Sequence, residues 1–351
     1  MHRSTTRIRF GALALRPGGS GVQTYIRELL KELPRQLGGA HLSAVVQRDA
    51  AAELPAAVAP RLRPVASGVV RTAFGLLPEL SGDVFHGLDI DLPLLTRGFT
   101  VATVHDTSVI DMPGASSWFR AKGEQQLVRR ALRTADLLLA VSEFTAERIT
   151  AISGRHATVV ELAPASWAQA PSAADVDAVR VRHQLPERFV LQVGTVEPRK
   201  DVALVARAAA DLGLPCVLAG AGSTGPAAPR TVIGLGYVDT ADLPGLYAAA
   251  TVTAYASKYE GYGLPPVEAM ACGGAVVASA VGALPQVVGD GAVLVRSHAL
   301  EDWTSAIRTV AFDSAARSEL TSAALTVAKA LSWRRTAELT AKAYRDAGVA
   351  L

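Results

Sequence analysis

The stretch at residues 257–279, SKYEGYGLPPVEAMACGGAVVAS, decides how the second half of the chain is interpreted. Its two prolines, Pro265 and Pro266, cannot lie inside a helix, but they are well suited to begin one. The small and apolar residues after them predict a short helix and then a buried strand. The stretch therefore predicts a loop, a helix start and a parallel strand, which is the repeating unit of an α/β fold.

Two acids flank this predicted helix start. Glu260 lies in the glycine-containing loop, and Glu268 lies in what the sequence predicts to be the first helical turn. Free N–H groups at a helix start bind anions, and carboxylates accept hydrogen bonds from hydroxyls. The pattern therefore indicates a site for a phosphate attached to a polyol. It leaves open the alternative that Glu268 only complements the helix dipole and that Glu260 is a solvated loop acid.

The same alternation of short apolar runs and helical patterns continues on both sides of this stretch. Strand-like runs include RIRFGALAL, HLSAVVQ, DVFHG, TVATVHD and LLLAVS before it, and FVLQVG and PCVLAGAG nearer to it. Residues 166–188 are polar and rich in Ala and Pro, which predicts a connection between domains. We therefore predict an α/β protein with Rossmann-like domains at 1–165 and 189–328 and a C-terminal helix within 329–351.

Composition narrows the class of protein. Of the 351 residues, 50% are apolar and 19% are charged, which is typical of a globular protein and not of a disordered one. The formal net charge of +3 does not indicate nucleic-acid binding. We interpret the apolar start of the chain as a first strand and not as a signal peptide. Cys216 and Cys272 lie far apart, which predicts no disulfide framework or zinc site and fits a cytoplasmic protein.

Residues 260–279, EGYGLPPVEAMACGGAVVAS, resemble the E-x7-E signature of the retaining GT-B glycosyltransferases of family four. Only Tyr262 and Ala275 depart from the form common in that family, where phenylalanine and proline stand. The resemblance implies two Rossmann-like domains that face each other across a cleft and a C-terminal helix that crosses back to the first domain. It also implies that the second domain binds a nucleoside diphosphate sugar and that the first binds the acceptor.

The resemblance assigns most donor contacts to the second half of the chain. Glu260 would hold hydroxyls of the sugar, and Glu268 those of the ribose. The segment VGTVEPRKD is similar to the family's diphosphate-binding element, and Lys200 matches the family lysine. Many members carry an arginine where this chain has Thr195, so the second phosphate ligand is either Thr195 or Arg199. Further implied donor-binding residues are Gly236, Tyr237, Gly261, Tyr262, Gly263 and Leu264.

Two elements of the first half resemble the family as well. GGSGVQTYIREL is similar to its glycine-rich loop, in which Gly19 and Gly21 would meet the donor phosphates or the transferred sugar. In TVHD, His105 follows an apolar strand, where open α/β sheets bind ligands. The resemblance implies that His105 contacts the donor sugar near its reacting carbon, although a lone histidine is often structural. The implied catalytic set is completed by Lys200, Arg199 and Glu260.

The motif Asp89-Ile90-Asp91 spells the D-x-D pattern by which another glycosyltransferase fold holds a divalent metal. Three-residue patterns arise easily by chance, and this one precedes the histidine strand. We therefore expect no metal and no other cofactor.

The segment SWFRAKGEQQLVRRALRTADLL combines aromatic residues with basic ones. Trp118, Phe119, Arg129, Arg130 and Arg133 are interpreted as a solvated helix face with two anchoring aromatics. Contact with an acceptor, or a weak peripheral contact with an anionic membrane surface, is the alternative.

The predicted function is transfer of a hexosyl group from UDP- or GDP-hexose to a hydroxyl of a saccharide, lipid-linked or small-molecule acceptor, with retention of configuration. No nucleic-acid partner is expected, and the expected location is the cytoplasm, at most peripheral at the inner face of the membrane. Two alternatives on the same fold are a nucleotide-sugar epimerase or hydrolase and a non-catalytic nucleotide-sugar-binding protein. The residues do not decide the nucleobase, the sugar, the acceptor, the linkage or the oligomeric state.

Overall fold

The computed structural model describes residues 6–19, 21–112 and 118–351, with side chains from residue 122 onward in the last range. The chain forms two compact units, Met1–Leu162 together with Ser332–Leu351, and Ala163–Leu331. No helix in the described part is both long enough and apolar enough to cross a membrane.

The regular elements follow one another as strand and helix along most of the chain. The strands are β1 (Arg7–Gly11), β2 (His41–Gln47), β3 (Ala59–Arg63), β4 (Val84–Gly87), β5 (Phe99–Val104), β6 (Leu137–Ala140), β7 (Thr158–Val159), β8 (Val190–Val193), β9 (Cys216–Ala219), β10 (Val232–Gly234), β11 (Val252–Tyr255), β12 (Val276–Ser279) and β13 (Ala292–Val295). The α-helices are α1 (Val22–Glu32), α2 (Gly68–Gly75), α3 (Ser108–Asp111), α4 (Trp118–Thr134), α5 (Glu143–Ser153), α6 (Ala173–Arg182), α7 (Val202–Asp211), α8 (Leu243–Ala249), α9 (Leu264–Ala271), α10 (Leu284–Val288), α11 (Leu300–Phe312), α12 (Ser314–Ala330) and α13 (Trp333–Asp346). Short 3-10 segments lie at Leu33–Gln36, Arg48–Glu53, Pro198–Lys200 and Gly289–Gly291.

The first unit is built on a parallel sheet with the strand order β3-β2-β1-β4-β5-β6-β7. One face packs a core from Phe85, Ala102 and Val104 of the strands against Val128 and Leu132 of α4. The strand order reverses between β1 and β4. In open α/β sheets, ligands bind outside the carboxyl ends of the strands at such a reversal.

The second unit repeats this architecture with the order β10-β9-β8-β11-β12-β13, again with every pair parallel. Its core joins Val190 and Val252 of the two central strands to Leu204 of α7 and to Trp303 and Ile307 of α11. The reversal lies between β8 and β11. Two Rossmann-like parallel sheets therefore confirm the predicted fold class.

The C-terminal helix α13 belongs to the first unit, as the sequence predicted. Ser332 caps its start by accepting a hydrogen bond from the backbone N–H of Arg335. The Tyr344 hydroxyl lies 2.6 Å from Nδ1 of the buried His86 in β4. The Thr336 hydroxyl donates to the carbonyl of Glu161 at 2.6 Å. These contacts hold the C-terminal helix against the first unit, whose sheet also contains β1.

Residues 166–188 differ from the predicted inter-domain connection. They contain α6, which Ser172 and Asp175 begin with a reciprocal capping box and which packs on α8 inside the second unit. Arg182 and His183 at its end both pair with Asp242, the latter at 2.8 Å. The sequence pattern did not predict this helix, because most of its residues are exposed and its apolar stripe is weak.

Candidate functional site

The carboxyl ends of β8 and β11 bring together three of the residues singled out in the sequence. The 3-10 turn after β8 carries Arg199 and Lys200, and the loop after β11 carries Glu260. Because β8 and β11 are neighbours at the reversal of the strand order, these loops meet where a Rossmann-like sheet binds its ligand.

An ion pair joins the two loops. The Lys200 ammonium donates a short hydrogen bond to Oε1 of Glu260, and the Ser257 hydroxyl donates to the same oxygen at 2.7 Å. Nη1 of Arg199 lies 3.5 Å from Oε2 of Glu260. Burial raises the pKa of the Glu260 carboxyl, but Lys200 and Arg199 more than offset burial and hold that pKa below its ordinary value. Glu260 is therefore an ionised, buried acid that holds two cations in place.

The arrangement separates the two candidates for the second phosphate ligand. Arg199 donates to the carbonyl of Tyr259 and to Oε1 of Glu197, both at 2.8 Å, which fixes its guanidinium beside the ion pair. Thr195 is exposed to solvent. The geometry therefore groups Arg199 with Lys200.

Two supporting residues escaped the interpretation of the sequence. Gln192 is buried in β8 and donates from Nε2 to the carbonyl of Lys200 at 3.0 Å, which fixes the backbone of the cation loop. Ser257 fixes the carboxylate of Glu260, as described above. The sequence does contain a signal for Gln192, because it is the polar residue inside the apolar run FVLQVG. Ser257 carries a weaker one, as a small hydroxyl residue three positions before the acid.

Glu268 has the opposite environment to Glu260. Helix α9 begins at Leu264 with Gly263 as its N-cap, so Glu268 is the fifth helical residue and lies in the second turn, not in the predicted first. The helix starts earlier because prolines fit all of its first positions, where no N–H bond is lost. Glu268 is buried and makes no ion pair with any residue that the structure describes. Burial raises its pKa to about 8.

The loop between the acids is packed, not open. Gly261, Tyr262, Gly263 and Leu264 are all buried, so these candidate donor-binding residues are enclosed by the second unit in this structure. The N–H of Gly236 donates to the Ser223 hydroxyl at 2.8 Å, and its carbonyl accepts from the N–H of Gly220 at 2.7 Å. Both backbone polar groups of Gly236 thus make hydrogen bonds within the second unit. The Tyr237 side chain, by contrast, is 66% exposed.

The loop after β12 holds Glu260 from a third side. The N–H of Ala283 donates to the Glu260 carbonyl at 3.0 Å, and Gly282 has φ +57°. A Cβ atom on Gly282 would lie 2.1 Å from that carbonyl oxygen. Only glycine fits this close approach of two backbones.

We expect Gly282→Ala to lower the free energy of unfolding by at least about 2 kcal/mol, since it combines a strained φ with a backbone clash. It should also lower any turnover, because Glu260 must shift. Gly273→Ala is the matched control: Gly273 has φ +80°, but a Cβ atom there meets nothing within 4 Å. Urea unfolding of both variants is the measurement, and equal losses at the two glycines would contradict the role of the Glu260 contact.

The remaining candidates lie in the first unit. Gly19 and Gly21 have φ of +81° and +63°, and Gly21 is the N-cap of α1, which follows the switch-point strand β1. His105 follows β5, and its Nε2–H donates to the carbonyl of Leu88 at 2.9 Å. The ring of Tyr25 packs edge-on against His105, with centroids 4.7 Å apart. The imidazole is thus held in one orientation at the carboxyl edge of the sheet.

The D-x-D motif at Asp89 and Asp91 also lies in the first unit. Asp91 pairs with Arg71 at 2.9 Å, and Asp89 accepts from the N–H of Ile90 at 2.8 Å. Among the described residues, no group of three or more His, Cys, Asp and Glu side chains is arranged to hold a metal ion.

Arg130 departs from the prediction that the basic residues of α4 form a solvated face. This residue does not lie on a solvated face, because it donates to the carbonyls of Leu92 and Pro93 at 2.7 and 2.5 Å. The side chains of Trp118 and Phe119 lie outside the described residues.

Two parallel Rossmann-like sheets, with a C-terminal helix that returns to the first of them, are the architecture of the GT-B fold. Comparisons with known proteins agree. The model described as "Glycosyl transferases group 1" matches residues 175–326, and "Glycosyltransferase Family 4" matches residues 19–164.

Relatives identify the family. O-antigen chain mannosyltransferase B of Escherichia coli is 31% identical over 283 residues, 75% of this chain and 74% of that protein. D-inositol 3-phosphate glycosyltransferase of Actinosynnema mirum is 31% identical over 291 residues, 73% of this chain and 67% of that protein. The structure of HepE from Anabaena, in complex with UDP and glucose, has a TM-score of 0.70 at 19% identity and covers 95% of this chain and 98% of that one. The chain therefore belongs to the group 1 glycosyltransferases.

Proposed function

We propose that this glycosyltransferase moves a hexosyl group from a nucleoside diphosphate hexose to an acceptor hydroxyl with retention of configuration. The observation that carries the proposal is the buried cluster of Lys200, Arg199 and Glu260 at the switch point of the second sheet. Two fixed cations at this point of a Rossmann-like sheet support the binding of a phosphorylated ligand. The bound UDP of HepE supports the same ligand class.

Stabilisation of negative charge by the two cations is the main contribution to catalysis. As the bond from the sugar carbon to the phosphate oxygen breaks, negative charge develops on the leaving diphosphate. Lys200 and Arg199, already oriented by Glu260 and Gln192, stabilise that charge without reorganising. Glu260 keeps a second carboxylate oxygen for a sugar hydroxyl, and Glu268 receives the ribose hydroxyls.

The proton of the acceptor hydroxyl has a simple destination in this scheme. The acceptor oxygen forms its bond to the sugar carbon on the face that the phosphate leaves. The departing phosphate oxygen accepts the acceptor proton, so atoms and charges balance without a covalent enzyme intermediate. We assign His105 to the sugar near this carbon, because its ring is fixed by Leu88 and Tyr25.

A panel of UDP- and GDP-hexoses tests the proposal and its alternatives. Binding at 100 times the Kd adds about 2.7 kcal/mol of stability, which a thermal-unfolding screen detects. NMR of the product made with the stabilising donor then reports the anomeric configuration. Release of free sugar or an epimerised donor without acceptor would favour the hydrolase or epimerase. Stabilisation with no turnover across acceptors would favour the binding protein.

We expect the transfer to be independent of metal ions. Asp89 and Asp91 are already engaged by Arg71 and by the backbone, and Lys200 and Arg199 supply the charge that a cation would otherwise provide. Activity should therefore be retained after dialysis against EDTA. Loss of activity that only Mn²⁺ or Mg²⁺ restores would refute this expectation.

We also propose a cytoplasmic location, with peripheral contact at the inner face of the membrane. Support comes from Cys216 and Cys272, which are both free and buried. Such thiols suit a reducing compartment.

A further inference from the structure

A chain of four buried polar side chains runs through the interior of the first unit. The Tyr344 hydroxyl of α13 lies 2.6 Å from Nδ1 of His86 in β4, and Nε2 of His86 lies 2.8 Å from the Thr103 hydroxyl of β5. The Thr103 hydroxyl in turn lies 2.9 Å from the hydroxyl of Tyr25 in α1. All four residues are fully buried, so each hydrogen bond depends on the partner that the next element supplies.

This hydrogen-bond chain ends beside His105. The ring of Tyr25 packs edge-on against the imidazole of His105, with centroids 4.7 Å apart and planes at 76°. His105 is itself partly exposed, and its Nε2–H donates to the carbonyl of Leu88, two residues after His86. Two contacts therefore fix this imidazole, and the hydrogen-bond chain holds the Tyr25 ring that makes one of them.

His86 is the central group of the chain and carries no charge. Burial, followed by the nearby His105, lowers the pKa of His86 to about 3, so its imidazole is neutral at neutral pH. A neutral imidazole donates from one nitrogen and accepts at the other, and the Thr103 hydroxyl donates to one neighbour while it accepts from the other. Because His86 is fully buried, it cannot touch a substrate. Any effect of His86 on catalysis therefore passes through Thr103 and Tyr25.

We propose that this hydrogen-bond chain positions His105 for the transfer and that His86 and Thr103 are positioning residues of the enzyme. Because the chain begins on α13, the packing of the C-terminal helix is coupled to the orientation of the His105 imidazole. A change at Tyr344 then reaches His105 through three hydrogen bonds and one ring contact. The inference rests on the proposed contact of His105 with the donor sugar.

Thr103→Val tests the proposal, because it removes the hydroxyl in the middle of the chain and keeps the shape of the side chain. Thr336→Val is the matched control. Thr336 on α13 is also fully buried, and its hydroxyl also has two contacts, with the carbonyls of Glu161 at 2.6 Å and Ser332 at 3.3 Å. Both variants should lower the midpoint of urea unfolding, whereas only Thr103→Val should affect His105. Thr103→Ser, which restores the hydroxyl, should reverse most of that effect.

The first readout needs no substrate. Long-range ¹H–¹⁵N spectra at about pH 8, above the ordinary pKa of histidine, report the tautomer of each of the seven histidines, and His105→Gln assigns one signal. We expect the Nε2–H form that donates to Leu88 in the wild type. In Thr103→Val the two nitrogen signals of His105 should move toward the average of a mobile imidazole. Tyr344→Phe and Tyr25→Phe keep their rings and should cause the same change. Unchanged His105 signals in these variants would overturn the inference.

The second readout is the rate of transfer. Misplacement of a group near the reacting atoms slows the bound complex more than it weakens binding. Thr103→Val should therefore lower kcat by about 10-fold and leave the KM for the donor within about 2-fold of the wild type. Thr336→Val should change neither value. An equal loss of kcat in both variants would show that the hydrogen-bond chain only stabilises the fold.

The two readouts separate this inference from the proposed function. If the wild type transfers sugar and Thr103→Val changes neither the His105 signals nor kcat, the inference fails and the proposed function stands. If the wild type turns over no nucleotide sugar, the proposed function fails, whereas a changed His105 signal still shows that the hydrogen-bond chain positions the imidazole. A changed signal in an active enzyme with unchanged kcat would overturn the role in transfer.

Discussion

Lys200→Met should lower kcat by about 10²–10³-fold, which is the loss seen when one preorganised charge-stabilising donor is removed. It should also lower the free energy of unfolding by about 3 kcal/mol, since it leaves the buried carboxylate of Glu260 without its closest cation. Ser257 and Arg199 remain beside that carboxylate and keep the loss near the lower end of the usual range. Steady-state kinetics and urea unfolding measure the two losses separately.

The double variant Lys200→Met/Glu260→Gln separates structure from chemistry. Replacing both partners of a buried ion pair is often nearly neutral for stability, so the double variant should regain most of the stability that the single one loses. It should regain no activity. Lys258→Met is the matched control, because Lys258 lies in the loop of Glu260 but forms a half-exposed pair with Asp201 at 3.1 Å. That pair is worth at most about 1 kcal/mol. A Lys200→Met enzyme with more than half of the wild-type kcat would remove Lys200 from the chemistry.

The sequence predicted the alternation of strands and helices. It did so because buried parallel strands are continuous apolar runs and because glycine and proline punctuate the loops between them. Helix α6 was not predicted, because an exposed helix with a weak apolar stripe has the same polar pattern as a linker. Its assignment depends on the capping box of Ser172 and Asp175 and on the partner Asp242, which lies about sixty residues away.

The ion pair inside the site could not be predicted from the sequence, for a related reason. Lys200 and Glu260 are distant in the chain, and only the adjacency of β8 and β11 makes them partners. The same holds for Gly282, whose need for glycine arises from a backbone that approaches it from another loop. The two acids of the signature look alike in the sequence, but among the residues that the structure describes two cations lie beside Glu260 and none pairs with Glu268.

That difference predicts opposite behaviour for Glu260→Gln and Glu268→Gln in ligand binding. Glu268→Gln should weaken binding of the free nucleoside diphosphate and of the full donor alike, by about 10- to 100-fold, because a buried ribose hydroxyl loses its carboxyl partner, a contact worth roughly 1–3 kcal/mol. Glu260→Gln frees Lys200 from its ion pair, so the free nucleoside diphosphate should bind as well as before or more tightly. Transfer should still fall, because the sugar loses its carboxylate. Calorimetric titration of both variants with both ligands measures these effects.

The dependence of stability on pH supplies a second, ligand-free test of Glu268. Its pKa in the folded chain is raised by burial to about 8, whereas an unfolded glutamate titrates near 4.3. Between these values the unfolded chain has lost a proton that the folded chain keeps, so the contribution of Glu268 is complete below pH 4 and is lost as the pH rises to 8. The loss is at most about 1.4 kcal/mol per pH unit. Glu268→Gln cannot ionise, so its stability relative to the wild type should rise steadily from pH 5 to pH 8. A constant difference across that window would show that Glu268 is ionised in the folded protein, and the assignment of the two acids to different ends of the donor would lose its physical basis.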